Sequence, residues 1–472
     1  KKPTEATETA EQVQADNSRA EAVKAENEAA EKLTAPVYTA EEYARAAAKV
    51  FEGKYSPDIV RAAFAVAGKK EATKAEAEEL VKKFANKEVK NLMSGFFVVG
   101  EKKERPGVYK RYENAGGVEA AGARSGVGCA LVTGNWGALN KPVTIDQSTD
   151  VSNVIGAGSG YDAITAFMAG GMEECVVVRV GTGGTPATIT LKDTTTSAAV
   201  DAVVLTALYP GNRAFTITVK ASLDDEAAKE ATIYEGTKAL EKVTFAAGKT
   251  EVDGIVAAFA NSKYVKATKK APGNGTLADV TQKAFTAGTN PTVNTAAYGE
   301  AANASEAEVR DMIIVDTNDA AVHTLIATHV ARVFQEGAYT MATVAEPSSV
   351  EIETRMQHAA AFNDEKIHYV LNPYIGTDGV EYEGYMLAAR IGGLICAGAA
   401  NASLTHTVIS GAAGLKETLN SGTIKKALKS GCLVLSTSKS KQVWIEKAIN
   451  TLVTLSKDQD AGWKKIRRVK ER

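Results

Sequence analysis

Histidine, serine and acidic residues are the first places to look for chemistry in this sequence. None of the five histidines stands in an HExxH motif, and His323 and His329 are six residues apart, on different faces of one predicted helix. Structural histidines are the favoured interpretation. No serine lies in a GxSxG motif, and Asp364 and Glu365 are adjacent carboxylates on a polar turn. We therefore predict no catalytic site and no enzyme activity.

The four cysteines also give no sign of a metal or redox site. Cys129, Cys175, Cys396 and Cys432 each lie among apolar or small residues, and none has CxxC spacing. Buried free thiols in a reducing compartment are expected. No metal and no other cofactor is predicted.

Two glycine-rich segments could approach a phosphate group. Residues 156–160 precede a predicted helix, but they lack the P-loop lysine and a complete GxGxxG pattern. A flexible loop leading into the helix is the favoured interpretation, and a nucleotide-binding enzyme is kept as an alternative. Residues 181–184 lie between two predicted strands, where no helix N-terminus is available. They fit better as a hinge into an inserted domain.

Size and charge bound the remaining classes of function. The chain has 472 residues, of which 44% are hydrophobic and 24% charged, which suits two to four domains. The formal net charge is −2, so neither nucleic acid nor a membrane surface is predicted as a partner. No apolar run of 18 residues occurs, and the first residues contain no signal-peptide pattern.

The first 92 residues are predicted to be helical and separate from the rest. Residues 1–36 are rich in Glu, Ala and Lys, which predicts a disordered or solvated helical tail. Residues 37–92 form a small three-helix module, whose first helix begins with a capping box of Thr39 and Glu42. The second helix is expected from Ser56 and the third from Thr73.

The rest of the chain predicts an α/β fold. Residues 116–186 and 292–472 alternate apolar strands with amphipathic helices, which is typical of a sheet with crossover helices. Residues 187–291 read as successive strands with one short helix and form an inserted β-rich domain, either barrel-like or sandwich-like. Within 292–472, helices are predicted at 415–421 and 424–429, and a hairpin at 432–436 and 442–445.

Between the helical module and the α/β core, residues 93–115 are predicted to form an extended arm. A polar run from Glu101 to Arg105 is followed by Pro106 and Gly107 and then by Val108 and Tyr109. Proline and glycine in this order favour an extended arm over a packed strand.

Arg105, Pro106, Gly107, Val108 and Tyr109 also resemble the RPGVY segment of contractile phage tail sheath proteins. That family includes the sheaths of PBSX-like prophages and of R-type bacteriocins. Ala214 and Phe215 replace the Gly and Asn that are usual in the family's YPGxRGN signature. Further segments similar to the family follow in the same order, at residues 130–137, 207–213, 234–236, 287–290, 448–452 and 464–469.

The resemblance implies a structural subunit that polymerises around an inner tail tube and contracts to drive the tube through a cell envelope. The implied partners are many copies of the chain in rings or helical strands, the tube protein, and the baseplate and tail terminator proteins. The implied location is the virion tail, or a phage-tail-like particle, assembled in the cytoplasm of the host bacterium. The arm residues Arg105–Tyr109 are implied to add a strand to a neighbouring subunit's sheet.

Two departures from the family pattern accompany this resemblance. Residues 1–92 are not part of the usual sheath and resemble small helical proteins encoded in tail gene clusters. The family's C-terminal domain and arm are not found before residue 472. Alternatives are a bacteriocin sheath or another contractile injection particle, and a different tail or baseplate protein. A tail tube is disfavoured because tubes are normally built from smaller β-barrels.

Overall fold

The computed structural model describes residues 37–51, 60–61, 63–64, 67–85, 94–96, 108–110, 126–398, 403–438 and 440–456. They belong to two compact units, Lys1–Leu92 and Met93–Arg472, each with its own hydrophobic core. The predicted tail over residues 1–36 lies outside the described residues. No helix in the described part of the chain is long and apolar enough to cross a membrane.

The first unit combines short helices with a two-stranded antiparallel sheet. Residues 60–61 and 63–64 are also helical, whereas the predicted helix start at Ser56 lies outside the described residues. The two strands were not predicted, because three residues are too few to show an alternating pattern. Its elements are β1 (Val37–Thr39), α1 (Ala40–Arg45), α2 (Ala47–Val50), β2 (Glu71–Thr73) and α3 (Lys74–Ala85).

Each strand of this unit ends in a threonine that caps the next helix. Thr39 accepts a hydrogen bond from the backbone of Glu42 and donates its own N–H to the Glu42 carboxylate, so the predicted capping box is confirmed. Thr73 and Glu76 repeat the arrangement at the start of α3, where the third helix was expected. Such a cap is worth about 1 kcal/mol.

The second unit contains an α/β core that is interrupted by a β-rich domain. Before the inserted domain come β3 (Ser94–Phe96), β4 (Val108–Lys110), β5 (Val127–Val132), β6 (Pro142–Asp146), α4 (Val151–Ile155), α5 (Ser159–Met168) and β7 (Glu174–Arg179). The inserted domain holds β8 (Pro186–Lys192), β9 (Asp201–Pro210), β10 (Phe215–Ala221), β11 (Ala228–Glu235), β12 (Lys238–Ala246), α6 (Glu251–Ala258), β13 (Val265–Lys269) and β14 (Val280–Ala284).

After the inserted domain the core resumes its alternation of helices and strands. The elements are α7 (Thr295–Ala304), β15 (Met312–Val315), α8 (Ala320–Gln335), β16 (Met341–Ala345), α9 (Ile352–Phe362), β17 (Ile367–Val370), β18 (Tyr374–Gly376), β19 (Glu381–Tyr382), α10 (Gly384–Ala397), β20 (Ala412–Leu415), α11 (Ser421–Lys429), β21 (Cys432–Leu433), β22 (Leu435–Thr437) and β23 (Val443–Ile445).

A seven-stranded sheet with the order β21-β17-β16-β15-β5-β7-β6 forms the centre of the core. All its pairs are parallel except β6 with β7. Every residue of β5 and of β15 is buried, as expected for strands covered by helices on both faces. Helices α5 and α10 cover one face, and helices α7, α8, α9 and α11 cover the other.

One glycine lets α5 and α10 approach each other. A Cβ atom on Gly393 would lie 2.1 Å from the backbone oxygen of Phe167, well inside contact distance. Only a residue without a side chain fits there, which explains a glycine in the interior of α10 despite its cost to helix stability.

The inserted domain consists of two antiparallel sheets around one hydrophobic cluster. Their strand orders are β12-β11-β10-β14 and β13-β9-β8. The predicted fold class, an α/β core with an inserted β-rich domain and a preceding helical module, is therefore confirmed.

The chain near residue 415 differs from the sequence prediction. The helix predicted at residues 415–421 is wrong, because Leu415 pairs with Tyr374 in strand β20 and Glu417 binds the buried Arg355. These tertiary contacts override the local helical pattern. The predicted hairpin is confirmed as β22 and β23, although Cys432 and Leu433 belong to the central sheet instead.

Candidate functional site

The predicted arm is described at two of its five named residues. Val108 and Tyr109 lie in β4, which pairs in parallel with β3, so that Ser94 faces Val108 and Gly95 faces Tyr109. Arg105, Pro106 and Gly107 lie outside the described residues. At Val108 and Tyr109 the chain is therefore extended but paired with β3, whereas the sequence predicted an extended arm rather than a packed strand. Unpaired backbone groups favour any partner strand within reach.

The glycine-rich segment at residues 156–160 leads into α5 beside a buried carboxylate. Asp316, which follows β15, accepts hydrogen bonds from Thr133 N–H and from the hydroxyls of Thr133 and Ser159, the last at 2.7 Å. Its second oxygen accepts from the Tyr298 hydroxyl at 2.7 Å. Burial and the neighbouring Asp316 raise the pKa of Tyr298 above its ordinary value.

This cluster occupies the edge of the sheet where open α/β folds bind ligands. The carboxyl ends of β5 and β15 meet there, and the chain leaves them in opposite directions along the sheet. A phosphate at the start of α5 would face the negative charge of Asp316. Gly160 serves close packing, since a Cβ there would lie 1.9 Å from the Thr133 oxygen. The geometry disfavours the nucleotide-binding alternative.

Residues 181–184 lie at the start of the inserted domain, as expected. Gly181, Gly183 and Gly184 have φ values of +138°, +70° and +82°, which favour glycine. The returning chain runs antiparallel beside them, with bridges from Thr182 to Thr292 and from Thr185 to Thr289. The domain is thus joined to the core by two adjacent extended segments.

Trp136 enters the inserted domain from the core. It lies in the loop between β5 and β6, yet only 2% of it is exposed and it packs in the hydrophobic cluster of the inserted domain. Its ring centroid is 5.0 Å from that of Tyr209 and 5.2 Å from that of Phe215. Burying an aromatic side chain of this size contributes about 4–6 kcal/mol at about 25 cal/mol per Å².

Arg213 of the inserted domain closes this aromatic cluster. Its guanidinium carbon lies 5.2 Å from the Trp136 ring centroid and 5.7 Å from that of Tyr264. Two of its nitrogens donate to the Glu235 carboxylate, at 3.0 and 2.7 Å. The ion pair holds the guanidinium over the rings, where a desolvated cation–π contact is worth about 2 kcal/mol.

Arg179, the last residue of β7, connects the same loop to the inserted domain. It is 2% exposed, and its guanidinium donates to the backbone oxygens of Gly134, Gly137 and Pro210 at 2.7–3.1 Å. Burial lowers the pKa of Arg179 to about 10, which leaves it charged at neutral pH. One side chain thus ties three carbonyls from two domains.

Several segments that carried the family resemblance meet at this junction. Tyr209, Pro210 and Arg213 contact Trp136 or Arg179 as described above. Gly211 packs against the backbone oxygen of Asn135, which a Cβ would approach to 2.0 Å, and Asn212 N–H donates to the Asn290 side chain. One structural site is therefore built from four segments that are far apart in sequence, at residues 134–137, 207–213, 234–236 and 287–290.

Three of the histidines, His323, His329 and His368, are buried in the core. His323 Nε2 donates to the backbone oxygen of Thr317, 2.9 Å away, and His329 Nε2 lies 3.0 Å from the Arg310 guanidinium. Burial lowers the pKa of His329 and of His368 to about 4 each, with the Arg310 charge adding to the effect at His329. Among the residues that the structure describes, no group of three or more His, Cys, Asp or Glu side chains is arranged to hold a metal ion.

All four cysteines are buried, as the sequence predicted. Burial raises the pKa of the Cys432 thiol to about 12, and it also raises the pKa of Cys129 and Cys175, so none of these three is a reactive thiolate.

Comparison with known families agrees with this domain arrangement. Residues 182–290 match the phage tail sheath protein beta-sandwich domain, and residues 291–451 match the phage tail sheath protein central domain. The two matches adjoin and together cover more than half of the chain.

The chain belongs to the phage tail sheath protein family.

Two solved structures have the fold of this sheath protein. The sheath tail protein from Desulfitobacterium hafniense is 20% identical, with a TM-score of 0.60, over 76% of this chain and 79% of that one. A sheath tail protein from Listeria innocua is 25% identical, with a TM-score of 0.58, over 73% of each chain. No curated protein sequence matches the chain.

The helical module of this sheath protein matches a different family. Residues 35–88 match the YqzN/YkzM domain. The match covers the described elements from β1 to α3, which form a compact unit of their own.

Sequence reasoning missed Arg179 and Asp316 in this sheath protein. Both had a signal: Arg179 is the one charged residue in the run Cys-Val-Val-Val-Arg-Val, and Asp316 directly follows the apolar strand β15. A charge beside such a strand has to find partners, because an unpaired buried charge is costly. Their partners come from distant segments, which the sequence does not identify.

Proposed function

We propose that the chain is a structural subunit of a contractile tail sheath. Many copies assemble in rings or helical strands around an inner tail tube and contract to drive the tube through the target cell envelope. The sheath contacts the tube protein, the baseplate and the tail terminator, and it is assembled in the cytoplasm of the host bacterium as part of a virion tail. The subunit acts through packing and carries out no reaction.

The observation that carries this proposal is the pair of adjoining sheath-family matches over residues 182–451. The crevice at the carboxyl ends of β5 and β15 supports the non-enzymatic part. The hydroxyls of Thr133, Ser159 and Tyr298 all donate to the Asp316 carboxylate there, so these groups are already engaged within the protein.

The arm supplies the contact between subunits in this proposal. Residues 93–115 add a strand to a neighbour's sheet, with Arg105, Pro106, Gly107, Val108 and Tyr109 at the centre of the contact. Within the described residues, β4 pairs with β3 over three positions. Each hydrogen bond contributes about 0.5–1.5 kcal/mol net, so the pairing within one chain is weak enough to be exchanged for a longer one.

Electron microscopy of the purified full chain tests the assembly. We expect tubular or cogwheel-like polymers in negative stain. Deleting residues 93–110 removes β3 and β4 together and should leave a folded subunit that no longer polymerises. Deleting residues 2–19, a segment of the same length, is the control and should leave polymers intact. Normal sheaths from the 93–110 deletion would overturn the role of the arm, and a full chain that stays monomeric with the tube protein present would count against the sheath function.

The orientation of the inserted domain is a second testable part of the proposal. We expect residues 187–290 to face outward, away from the tube. Hydrogen exchange with and without the tube protein should leave this segment unprotected, and protection there would contradict the orientation. The DNA content of particles isolated from producing cells then distinguishes the alternatives. A virion contains DNA, whereas an R-type bacteriocin or other contractile injection particle contains none.

A further inference from the structure

The inserted domain is attached to the core by two backbone segments that favour movement. Three glycines with left-handed φ values lie within Gly181–Gly184, and the antiparallel partner segment pairs with them through isolated bridges at Thr182 and Thr185, the second reinforced by the hydroxyls of Thr185 and Thr289. A two-stranded connection of this kind is marginally stable by itself. On these segments alone, the domain could pivot about the core.

A third attachment opposes this movement. It is made by side-chain packing and not by a chain connection. The loop between β5 and β6 belongs to the core, yet Trp136 from this loop is buried among Tyr209, Phe215 and Tyr264 of the inserted domain. The cluster of the inserted domain is therefore completed by a core residue. Rotating the domain would pull Trp136 out of it and expose the ring to water.

Arg179 fixes the loop that carries Trp136. It binds Gly134 and Gly137, on either side of the tryptophan, and also Pro210 at the end of β9. Because all three acceptors are main-chain oxygens in a buried or partly buried setting, losing the guanidinium removes their hydrogen-bond donor. The loop, the end of β7 and the inserted domain are thus held by one buried charge.

Two polar contacts across the junction are peripheral. Lys238 pairs with Asp150 at 3.1 Å, and both side chains are about half exposed. The Tyr264 hydroxyl donates to Asn153 at 3.1 Å on the exposed rim. Exposed pairs of this kind contribute little to stability. The rigidity of the junction therefore depends on its buried centre.

We infer that Trp136 and Arg179 lock the inserted domain to the core, so that the two move as one rigid body and the glycines at 181–184 do not act as a hinge. The sequence alone predicted a hinge there. The inference concerns the single subunit and holds whether or not the chain polymerises. In an assembly, the lock would transmit any displacement of the inserted domain directly to the core.

Distance measurements between spin labels on the full chain test this lock. Tyr161→Cys on α5 and Leu223→Cys in the turn between β10 and β11 provide one label in each domain, at side chains that are 38% and 91% exposed. The four native cysteines are buried and do not compete for the label. We expect a single narrow distance distribution for the parent protein.

Substitutions at the junction should broaden this distribution. Trp136→Ala should widen it and shift its mean, Trp136→Phe should do so less, and Arg179→Met should give an intermediate effect. Phe259→Ala is the matched control: Phe259 is 1% exposed in the same cluster but belongs wholly to the inserted domain. It should weaken the domain and leave the distribution narrow.

Hydrogen exchange at the connecting segments gives a second readout. In Trp136→Ala, exchange at the amides of Thr182, Thr185 and Gly211 should accelerate by about a hundredfold, since the cost of opening the junction falls with the lost burial. A distribution that stays as narrow in Trp136→Ala as in the parent would overturn the lock, as would equal broadening by Phe259→Ala. If Trp136→Ala does not fold, Arg179→Met decides between the same outcomes.

Discussion

The guanidinium carbon of Arg213 lies 5.2 Å from the ring centroid of Trp136, although the two residues belong to different domains. Arg213 is held there by Glu235, whose carboxylate accepts two of its N–H groups. The core and the inserted domain of this sheath protein thus share a single buried cluster. This relationship makes the stability of one domain depend on residues of the other.

Glu235→Gln should destabilise the inserted domain by about 1.5–3 kcal/mol, because the buried Arg213 loses its charged partner. Urea unfolding followed by tryptophan fluorescence measures the change in the free energy of unfolding. Glu226→Gln, in the exposed turn before β11, changes the same charge and should stay within about 0.5 kcal/mol of the parent. Equal effects of the two substitutions would show that the Arg213 ion pair adds nothing.

Asp316→Asn should lower the free energy of unfolding by about 2–4 kcal/mol. An amide cannot accept hydrogen bonds from Thr133, Ser159 and Tyr298 together. The amide NH₂ group would face hydroxyl and N–H donors. Thermal or urea unfolding of the full chain gives the change. Asp319→Asn, at the exposed cap of α8, removes the same charge three residues away and should cost less than about 1 kcal/mol. An Asp316→Asn protein as stable as the parent would contradict the described network.

The core should lose stability as the pH falls from about 6.5 to about 4. Burial lowers the pKa of His329 and His368 to about 4 in the folded chain, so the unfolded chain binds protons first. Their contribution is complete above the unfolded pKa near 6.5 and is lost progressively down to about 4, at roughly 2–3 kcal/mol for each residue.

Unfolding at a series of pH values measures this dependence. His329→Gln should reduce its slope between pH 4 and 6.5. A parental slope in His329→Gln would argue that other groups cause the acid sensitivity.

Gly393→Ala should push α5 away from α10 and lower the free energy of unfolding by about 1–3 kcal/mol or more. The reason is that the added Cβ would lie 2.1 Å from the Phe167 oxygen. Gly299→Ala is a matched substitution in α7, where the Cβ would lie 3.5 Å from Leu325, an ordinary contact. It should leave stability unchanged or raise it by about 1 kcal/mol through helix propensity. Thermal unfolding of the two variants compares them directly, and similar melting temperatures would refute the close approach.

The sequence predicted most helices and strands because their patterns are local. Residues 424–429 indicated the helix observed as Ser421–Lys429, and residues 442–445 indicated the strand observed as Val443–Ile445. Thr39 and Glu42 marked a helix start from residue types alone. The helix predicted at residues 415–421 is wrong for the opposite reason, because Leu415 pairs with Tyr374, which lies 41 positions earlier in the chain.

What the sequence by itself determined was the order of the elements, the fold class and the family resemblance, because periodicity and short motifs act within a few residues of chain. Only the tertiary structure decided what those motifs do. It brought Trp136, Arg179 and Arg213 to one junction and set Asp316 against Ser159. Buried charges and rings have to find partners, and which partners they find depends on how the distant strands pack.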